Sequence, residues 1–231
     1  STLLLGFASG MSPFGMAIVV PTLEIFANEF QSSYSIIQFI ISAYLFGLAI
    51  SQPFMGFLSD KLGRKPVMIS GIILFIIASY ICMTAETLST LIVARFLQGV
   101  GGSVGTVTSR AIIRDSYSGD QAAKSLSRVT ATMGMAPMIA PVIGAIALSI
   151  LGSPNGIFLI TLLIGVLILF PVLFFLPETV IKDDPEKTQT AWHKNYYKLL
   201  RSETFVGSTF IYGFTTGSFF AILAVGSTVF S

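Results

Sequence analysis

Arg95 is the residue with the clearest chemical potential, because it is a single charge inside an otherwise apolar stretch between Glu86 and Arg110. If that stretch spans a membrane, an arginine there is costly and should face a cavity or a partner. Four further residues follow at helical spacing and would share its helix face: Gln98, Gly99, Gly102 and Thr106. Arg95 lies near one end of the stretch, so it could instead extend to the membrane surface. The glutamine and the glycines on its face favour a functional, cavity-facing position.

A second group of ionisable residues lies in a short string that contains two glycines. Its notable members are Gly56, Asp60, Gly63, Arg64 and Lys65. The string is too short for anything but a tight turn between two helices, and a glycine provides the backbone freedom that such a turn needs. Taken alone, these cations could simply anchor one side of a membrane protein.

A third pattern combines small residues with two prolines. Pro137 and Pro141 are four residues apart, and each would remove a backbone donor and bend a helix. Ala136, Ala140 and Gly144 recur every fourth residue and would form a ridge that permits close helix packing. Ordinary tight packing would explain such a ridge by itself.

Several kinds of chemistry are disfavoured. The chain has one Cys and one His, and no pair of acids falls within its uncharged stretches. Neither a metal centre nor the catalytic group of a membrane enzyme is therefore expected. The net charge of +2 is too small to indicate nucleic-acid binding. We expect no enzymatic activity, no metal and no cofactor.

The composition shows what kind of element must position these residues. Of the 231 residues only 10% are charged and 53% are hydrophobic, whereas soluble domains carry about 25% charged residues. A spanning helix needs about 20 mostly apolar residues, so the uncharged runs predict an all-α membrane protein with seven spans. The predicted spans are 2–26, 34–59, 67–84, 88–110, 127–151, 156–176 and 204–231.

The basic residues predict the orientation. Every Lys and Arg except Arg95 falls in the second, fourth or sixth connection between the predicted spans or at the span ends that border it. Because cytoplasmic loops carry the excess of Lys and Arg, these connections and the N-terminus should be cytoplasmic. The sequence therefore predicts a multi-pass protein of the cell membrane.

The three patterns together resemble known motifs of the major facilitator superfamily. The string 56–65 is similar to the signature loop of that family, which implies a cytoplasmic gate formed by Asp60 and Arg64 with Asp115 as a partner. The string 91–99 resembles the fourth-helix motif, which links Arg95 to proton transfer. The string 140–145 resembles the antiporter motif with alanine in place of both flanking glycines, which implies a ridge that restricts leak.

Further strings narrow the resemblance. Gln52 and the segments 110–115, 136–141 and 176–179 are similar to the bicyclomycin and chloramphenicol resistance branch of drug:proton antiporters. The resemblance implies an N-terminal six-helix bundle at 1–177, a cytoplasmic linker at 178–203 and a seventh helix at 204–231. The chain would then be slightly over half of a transporter whose C-terminal half is missing.

The resemblance also implies an activity. It indicates proton-coupled efflux of small apolar drugs or metabolites by alternating access, driven by the proton gradient across the lipid bilayer and needing no cofactor. The alternative is a facilitator or importer of a small metabolite with the same fold. A substrate cavity would be lined by apolar, aromatic and amide side chains: Met11, Phe14, Tyr44, Gln98 and Met133. Each of these could instead serve core packing or face lipid.

One departure from the family pattern concerns the proton carrier. The branch commonly has an acidic residue in the first helix, and the corresponding position here is Ala17. Glu24 follows seven residues later, which in a continuous helix is the same face about 10 Å nearer the outer surface. Glu24 could be a displaced proton carrier or an interfacial cap, and the sequence leaves both open.

Overall fold

A computed structural model describes residues 2–179 and 201–229, and within these ranges the chain is helical and without strands. The α-helices are α1 Thr2–Ala17, α2 Leu23–Glu29, α3 Tyr34–Ile37, α4 Phe39–Leu62, α5 Arg64–Met83, α6 Leu88–Ser116, α7 Gly119–Leu151, α8 Ile157–Phe175 and α9 Glu203–Val229. Two short 3₁₀ helices lie at Val20–Thr22 and Pro154–Gly156.

Six segments among the described residues are long and apolar enough to cross a membrane, which confirms the all-α membrane fold. We number them span one to span six: Thr2–Glu29, Tyr34–Leu62, Arg64–Met83, Leu88–Ser116, Gly119–Leu151 and Pro154–Phe175. The seventh predicted span, 204–231, falls on α9.

The predicted boundaries are wrong at the basic end of the bundle, by which we mean the end that carries the turn between α4 and α5. The prediction ends the fourth span at residue 110 and begins the fifth at residue 127, but α6 continues to Ser116 and α7 already begins at Gly119. The prediction followed the uncharged runs, which mark the apolar layer of a membrane rather than the ends of helices. Charged residues can continue a helix beyond that layer, as they do at the end of α6 and at the start of α7.

Span one is not the continuous helix that was predicted for 2–26. Helix α1 ends at Ala17, and a 3₁₀ turn with Pro21 leads into α2. Proline has no N–H to donate to the carbonyl four residues earlier, so the carbonyl of Ala17 loses its helical partner at the residue where α1 ends. Glu24 was predicted to share a helix face with Ala17, which requires a continuous helix between them. Because the helix is broken between these two residues, that prediction is wrong.

Helix α6 lies at the centre of the bundle and packs against α1, α4 and α5. Glycines allow this close approach, since a Cβ at Gly99 would collide with the Tyr44 carbonyl of α4 and one at Gly105 with the Ala8 carbonyl of α1. Around this centre, α7 packs on α1 and α8 packs on α5. Small residues at helix contacts are the usual means of close packing in membranes.

The chain divides into two compact units, Ser1–Val180 and Ile181–Ser231. The first unit contains spans one to six, and α9 lies in the second. The domain boundaries predicted at 177 and 203 stay predictions, because most of the linker predicted at 178–203 lies outside the described residues.

Candidate functional site

Arg95 lies in the interior of the bundle with none of its surface exposed. Its Nε donates a hydrogen bond to the backbone carbonyl of Ile40 at 3.3 Å, and its Nη1 donates to the carbonyl of Gly15 at 3.0 Å. Nη1 also donates to Oε1 of Gln98, one turn further along α6. The guanidinium therefore has partners within the protein, and two of them are backbone carbonyls of spans one and two.

Gln98 extends these contacts to two more spans. Its Nε2 donates to Oγ of Ser79 at 2.7 Å and to Oγ1 of Thr161 at 3.1 Å. We call Gly15, Ile40, Tyr44, Ser79, Arg95, Gln98 and Thr161 the arginine cluster. Its residues come from spans one, two, three, four and six, so two buried side chains, Arg95 and Gln98, link most of the bundle.

The positive charge of Arg95 is compensated without a carboxylate, since no Asp or Glu is buried among the described residues. The guanidinium carbon lies 4.2 Å from the ring centre of Tyr44 and 5.9 Å from that of Phe158, within the range of a cation–π interaction. The Tyr44 hydroxyl in turn donates to the carbonyl of Ser12 at 2.8 Å. Within the described part of the chain, Nη2 of Arg95 is buried without a hydrogen-bond partner.

The two predicted proton-coupling residues are not brought together. Glu24 is exposed in the first turn of α2, beyond the break in span one, whereas Arg95 is fully buried. No ion pair joins them among the described residues. The proton-coupling role of Glu24 and Arg95 therefore stays a prediction.

The predicted cavity residues differ in where they lie and in how deeply they are buried. Tyr44 and Gln98 belong to the arginine cluster, and Met11 and Phe14 are buried in the same bundle. Met133 is half-buried on α7. No contact with a substrate tests these positions, so their assignment to a cavity stays a prediction.

The predicted gate residues do meet at the basic end. Arg64 is only 5% exposed, and its guanidinium forms ion pairs with Asp60 and with Asp115, whose Oδ2 lies 3.0 Å from Nε. Nη1 of Arg64 also donates to Oγ of Ser59 at 2.8 Å. Ser59 in turn donates to the carbonyl of Gly56 at 2.9 Å, which ties the first glycine of the string to the same network.

Glu178 joins this network although it was not among the predicted site residues. Its Oε1 accepts from the backbone N–H of Arg64 at 2.9 Å, and its Oε2 accepts from that of Lys65 at 3.2 Å. The turn itself is one residue long, because α4 ends at Leu62 and α5 begins at Arg64. The residue between them is Gly63, with φ 109°, a region that glycine adopts readily and side chains avoid.

The small-residue ridge of α7 faces α1. Pro137, Ala140 and Gly144 are buried, while Ala136 and Pro141 are half-buried beside them. A Cβ at Gly144 would lie 2.5 Å from the carbonyl oxygen of Ile18, at the break in span one. Helix α7 continues through both prolines from Gly119 to Leu151. The ridge therefore packs closely, as its pattern predicts, and its role in limiting leak stays a prediction.

Residues 2–179 and 201–229 contain no group of three or more potential metal ligands. The residues that sequence reasoning missed are Ser79, Thr161 and Glu178. A lone polar residue in an apolar span needs a partner, so Ser79 and Thr161 carried a weak signal. The carbonyls of Gly15 and Ile40 carried none, because every residue has one.

Six membrane-spanning helices around a buried arginine, with a salt-bridged turn at one end, form the bundle of a polytopic membrane protein. The family model described as Major Facilitator Superfamily matches residues 5–231. The chain therefore belongs to the major facilitator superfamily, which confirms the resemblance seen in its motifs.

Individual relatives agree with this assignment. The chain is 34% identical over 224 residues to the uncharacterized MFS-type transporter YdgK of Bacillus subtilis, which covers 96% of this chain and 56% of that protein. It is 30% identical over 230 residues to the bicyclomycin resistance protein homolog of Haemophilus influenzae, which covers 99% of this chain and 57% of that protein. The chain thus spans about half the length of the curated relatives it matches.

Solved structures agree on the fold. The crystal structure of a bacterial homolog of the human lysosomal transporter Spinster, inward-facing and unoccupied, superposes with a TM-score of 0.74. The match covers 98% of this chain and 54% of the other at 14% identity, so it bears on the fold alone.

Proposed function

We propose that this chain is the first six-span bundle, with its linker and seventh helix, of a secondary transporter that exports small apolar drugs or metabolites in exchange for protons. The observation that carries the proposal is the arginine cluster, in which a fully buried charge binds backbone carbonyls of two other spans. A charge inside a membrane bundle is expensive and usually serves transport. The name of the Haemophilus influenzae relative supports a drug as the substrate.

The transporter would work by alternating access. A second six-helix bundle of the same protein would rock against this one and expose a central site to each side of the membrane in turn. The ion pairs of Arg64 with Asp60 and Asp115 would hold the cytoplasmic end closed in one of the two states. The ridge of α7 on α1 would limit leak through the closed bundle.

The proposal includes an orientation and a location. The basic end would face the cytoplasm and the N-terminus would lie on the same side, because Lys and Arg collect on the cytoplasmic side. The protein would lie in the bacterial inner membrane, bind a small-molecule substrate, use the proton gradient and need no cofactor.

Arg95 cannot itself carry the proton, because a guanidinium stays protonated in proteins. Its role would be to set the energy of the bundle's conformations, by binding Gly15 and Ile40 in one state and releasing them in another. The carrier would be a carboxylate, and Glu24 is the acidic residue of span one nearest to the family position at Ala17.

A second candidate function is supported by the exposure of the acidic residues in the described spans. No carboxylate is buried in the described spans, so a facilitator or importer that moves a small metabolite without protons would fit the same bundle.

Transport into proteoliposomes separates the two functions. The natural protein, purified with its full sequence, would be reconstituted and given bicyclomycin with and without an imposed proton gradient. If the protein exchanges drug for protons, bicyclomycin should accumulate above its external concentration only when the proton gradient is present. Equilibration to the same level with or without the gradient would instead establish the facilitator, and no uptake would refute both for this compound.

A further inference from the structure

The carboxylate of Glu178 caps the N-terminus of α5. The first N–H groups of a helix have no partner within the helix, and a carboxylate there accepts their hydrogen bonds and complements the helix dipole. Glu178 does so with both oxygens, one to the N–H of Arg64 and one to that of Lys65. Gly63 leaves the space for it, since a Cβ there would lie 2.5 Å from Oε2 of Glu178.

The same short segment also contacts the end of α6. Oγ1 of Thr179 lies 3.4 Å from Oδ2 of Asp115, the oxygen that also accepts from Nε of Arg64. Glu178 and Thr179 follow span six after two intervening residues, since the span ends at Phe175. The chain leaving span six is therefore bound to both sides of the Arg64–Asp115 ion pair.

We propose that Glu178 is a positioning residue of the cytoplasmic gate. It binds the backbone of Arg64 and so fixes the direction in which the guanidinium extends toward Asp60 and Asp115. It also makes the segment after span six part of the gate, so that this segment must detach before the basic end opens. The proposal rests on the proposed function, because a gate is meaningful only in a protein that opens and closes during transport.

An ordinary helix cap would differ from such a positioning residue in its consequences. Loss of an ordinary cap lowers thermal stability and leaves the opening of the basic end and the turnover of the transporter unchanged. Loss of a positioning residue shifts the balance between closed and open states. Its effect should appear in the accessibility of the basic end and in turnover.

The test is the rate at which a reporter cysteine is labelled in the purified natural protein. Ala111 is 9% exposed and lies one turn before Asp115, so Ala111→Cys in a Cys82→Ala background reports on the gate. A water-soluble maleimide in detergent solution reaches both ends of the protein, so the readout does not depend on its orientation. We expect Glu178→Gln to increase the labelling rate about tenfold, within the range of coupling between conformational states.

Three further variants sharpen the result. Glu178→Asp keeps the charge on a shorter side chain and should restore part of the closed state. Thr179→Val removes only the contact with Asp115 and should raise labelling about twofold, a smaller effect because that contact is long at 3.4 Å. Glu86→Gln changes an exposed glutamate beyond the opposite end of α5 and should leave labelling unchanged.

The outcomes are distinguishable. Unchanged labelling in Glu178→Gln and Thr179→Val, beside normal bicyclomycin transport by the unsubstituted protein, would refute the proposal and leave the proposed function intact. Faster labelling without a fall in turnover would also refute the proposal, because the basic end would then open more readily with no consequence for transport. If the unsubstituted protein transports no drug, the proposed function fails for that drug, and labelling still decides whether Glu178 holds the basic end closed.

Discussion

Replacing Arg95 should separate its contribution to stability from its contribution to function. The side chain donates hydrogen bonds to Gly15, Ile40 and Gln98 and stacks on Tyr44. Hydrogen bonds between membrane helices are worth about 0.6 kcal/mol on average and up to about 1.7 kcal/mol, so the two to Gly15 and Ile40 contribute about 1–3 kcal/mol. The stacked ring adds about 1–2 kcal/mol.

Removing the charge offsets much of that loss. An arginine costs about 2.5–3.5 kcal/mol at the centre of a spanning helix on insertion scales, and this is an upper limit for Arg95, which lies nearer one end of its helix. Arg95→Met keeps a long side chain and leaves little cavity, so we expect its free energy of unfolding to fall by no more than about 2 kcal/mol. Arg95→Ala also leaves a cavity, which costs roughly another 2 kcal/mol.

Arg95→Lys provides the decisive contrast. It keeps the buried charge but lacks the planar fork that reaches Gly15, Ile40 and Gln98 together. We therefore expect Arg95→Lys to be less stable than Arg95→Met, although lysine is the chemically closer residue. Transport should be lost in all three variants.

The assay is unfolding of the purified natural protein by SDS titration, with transport of bicyclomycin measured in parallel. Arg110→Met is the matched control, because Arg110 is an exposed arginine on the same helix and its replacement should change stability by no more than about 0.5 kcal/mol. A stable Arg95→Lys beside a severely unstable Arg95→Met would refute the reasoning, because the charge would then be a net source of stability.

Three further predictions follow from other contacts. Gly99→Ala should lower the free energy of unfolding by about 1–3 kcal/mol, because its Cβ collides with a carbonyl of α4, whereas Gly134→Ala has open space and should not destabilise the protein in the same titration. Glu24→Gln should change the free energy of unfolding by no more than about 0.5 kcal/mol, because Glu24 is exposed. The same substitution should abolish accumulation of bicyclomycin against its gradient and leave counterflow unchanged. Unchanged accumulation would leave Glu24 as an interfacial cap. Asp115→Asn weakens the ion pair with Arg64 and should slow turnover on the order of tenfold, corresponding to about 1.4 kcal/mol, with normal turnover as the contrary result.

The sequence predicted the features that composition and spacing determine. The apolar runs located all six spans, since a membrane accepts few charges. The stripe that begins at Arg95 on α6 is buried along its length, because residues at helical spacing share one face. The ion pairs of Arg64 with Asp60 and Asp115 agree with what the motif implies, and the role of these residues as a gate stays a prediction.

The partners of Arg95 could not be predicted in the same way. Gly15 and Ile40 contribute backbone carbonyls, and Ser79 and Thr161 lie 19 and 63 residues from Gln98 along the chain. Such contacts depend on how the spans pack, which a single sequence does not specify.

The break in span one had a local signal that was not used. Pro21 cannot donate to the carbonyl four residues earlier, and α1 ends at that residue, Ala17. The apolar composition of the run from residue 2 to residue 23 concealed the break, because the hydropathy of a span is the same whether or not its helix is continuous.

Proton release on adding drug tests the central claim most directly. Bicyclomycin would be added to the purified natural protein in weakly buffered detergent solution while the pH is recorded. A proton-coupled exporter organised around Arg95 predicts that protons are released by the unsubstituted protein and by the Arg110→Met control, and that none are released by Arg95→Ala. Bicyclomycin binding without proton release in the unsubstituted protein, or equal release after Arg95→Ala, would contradict the account.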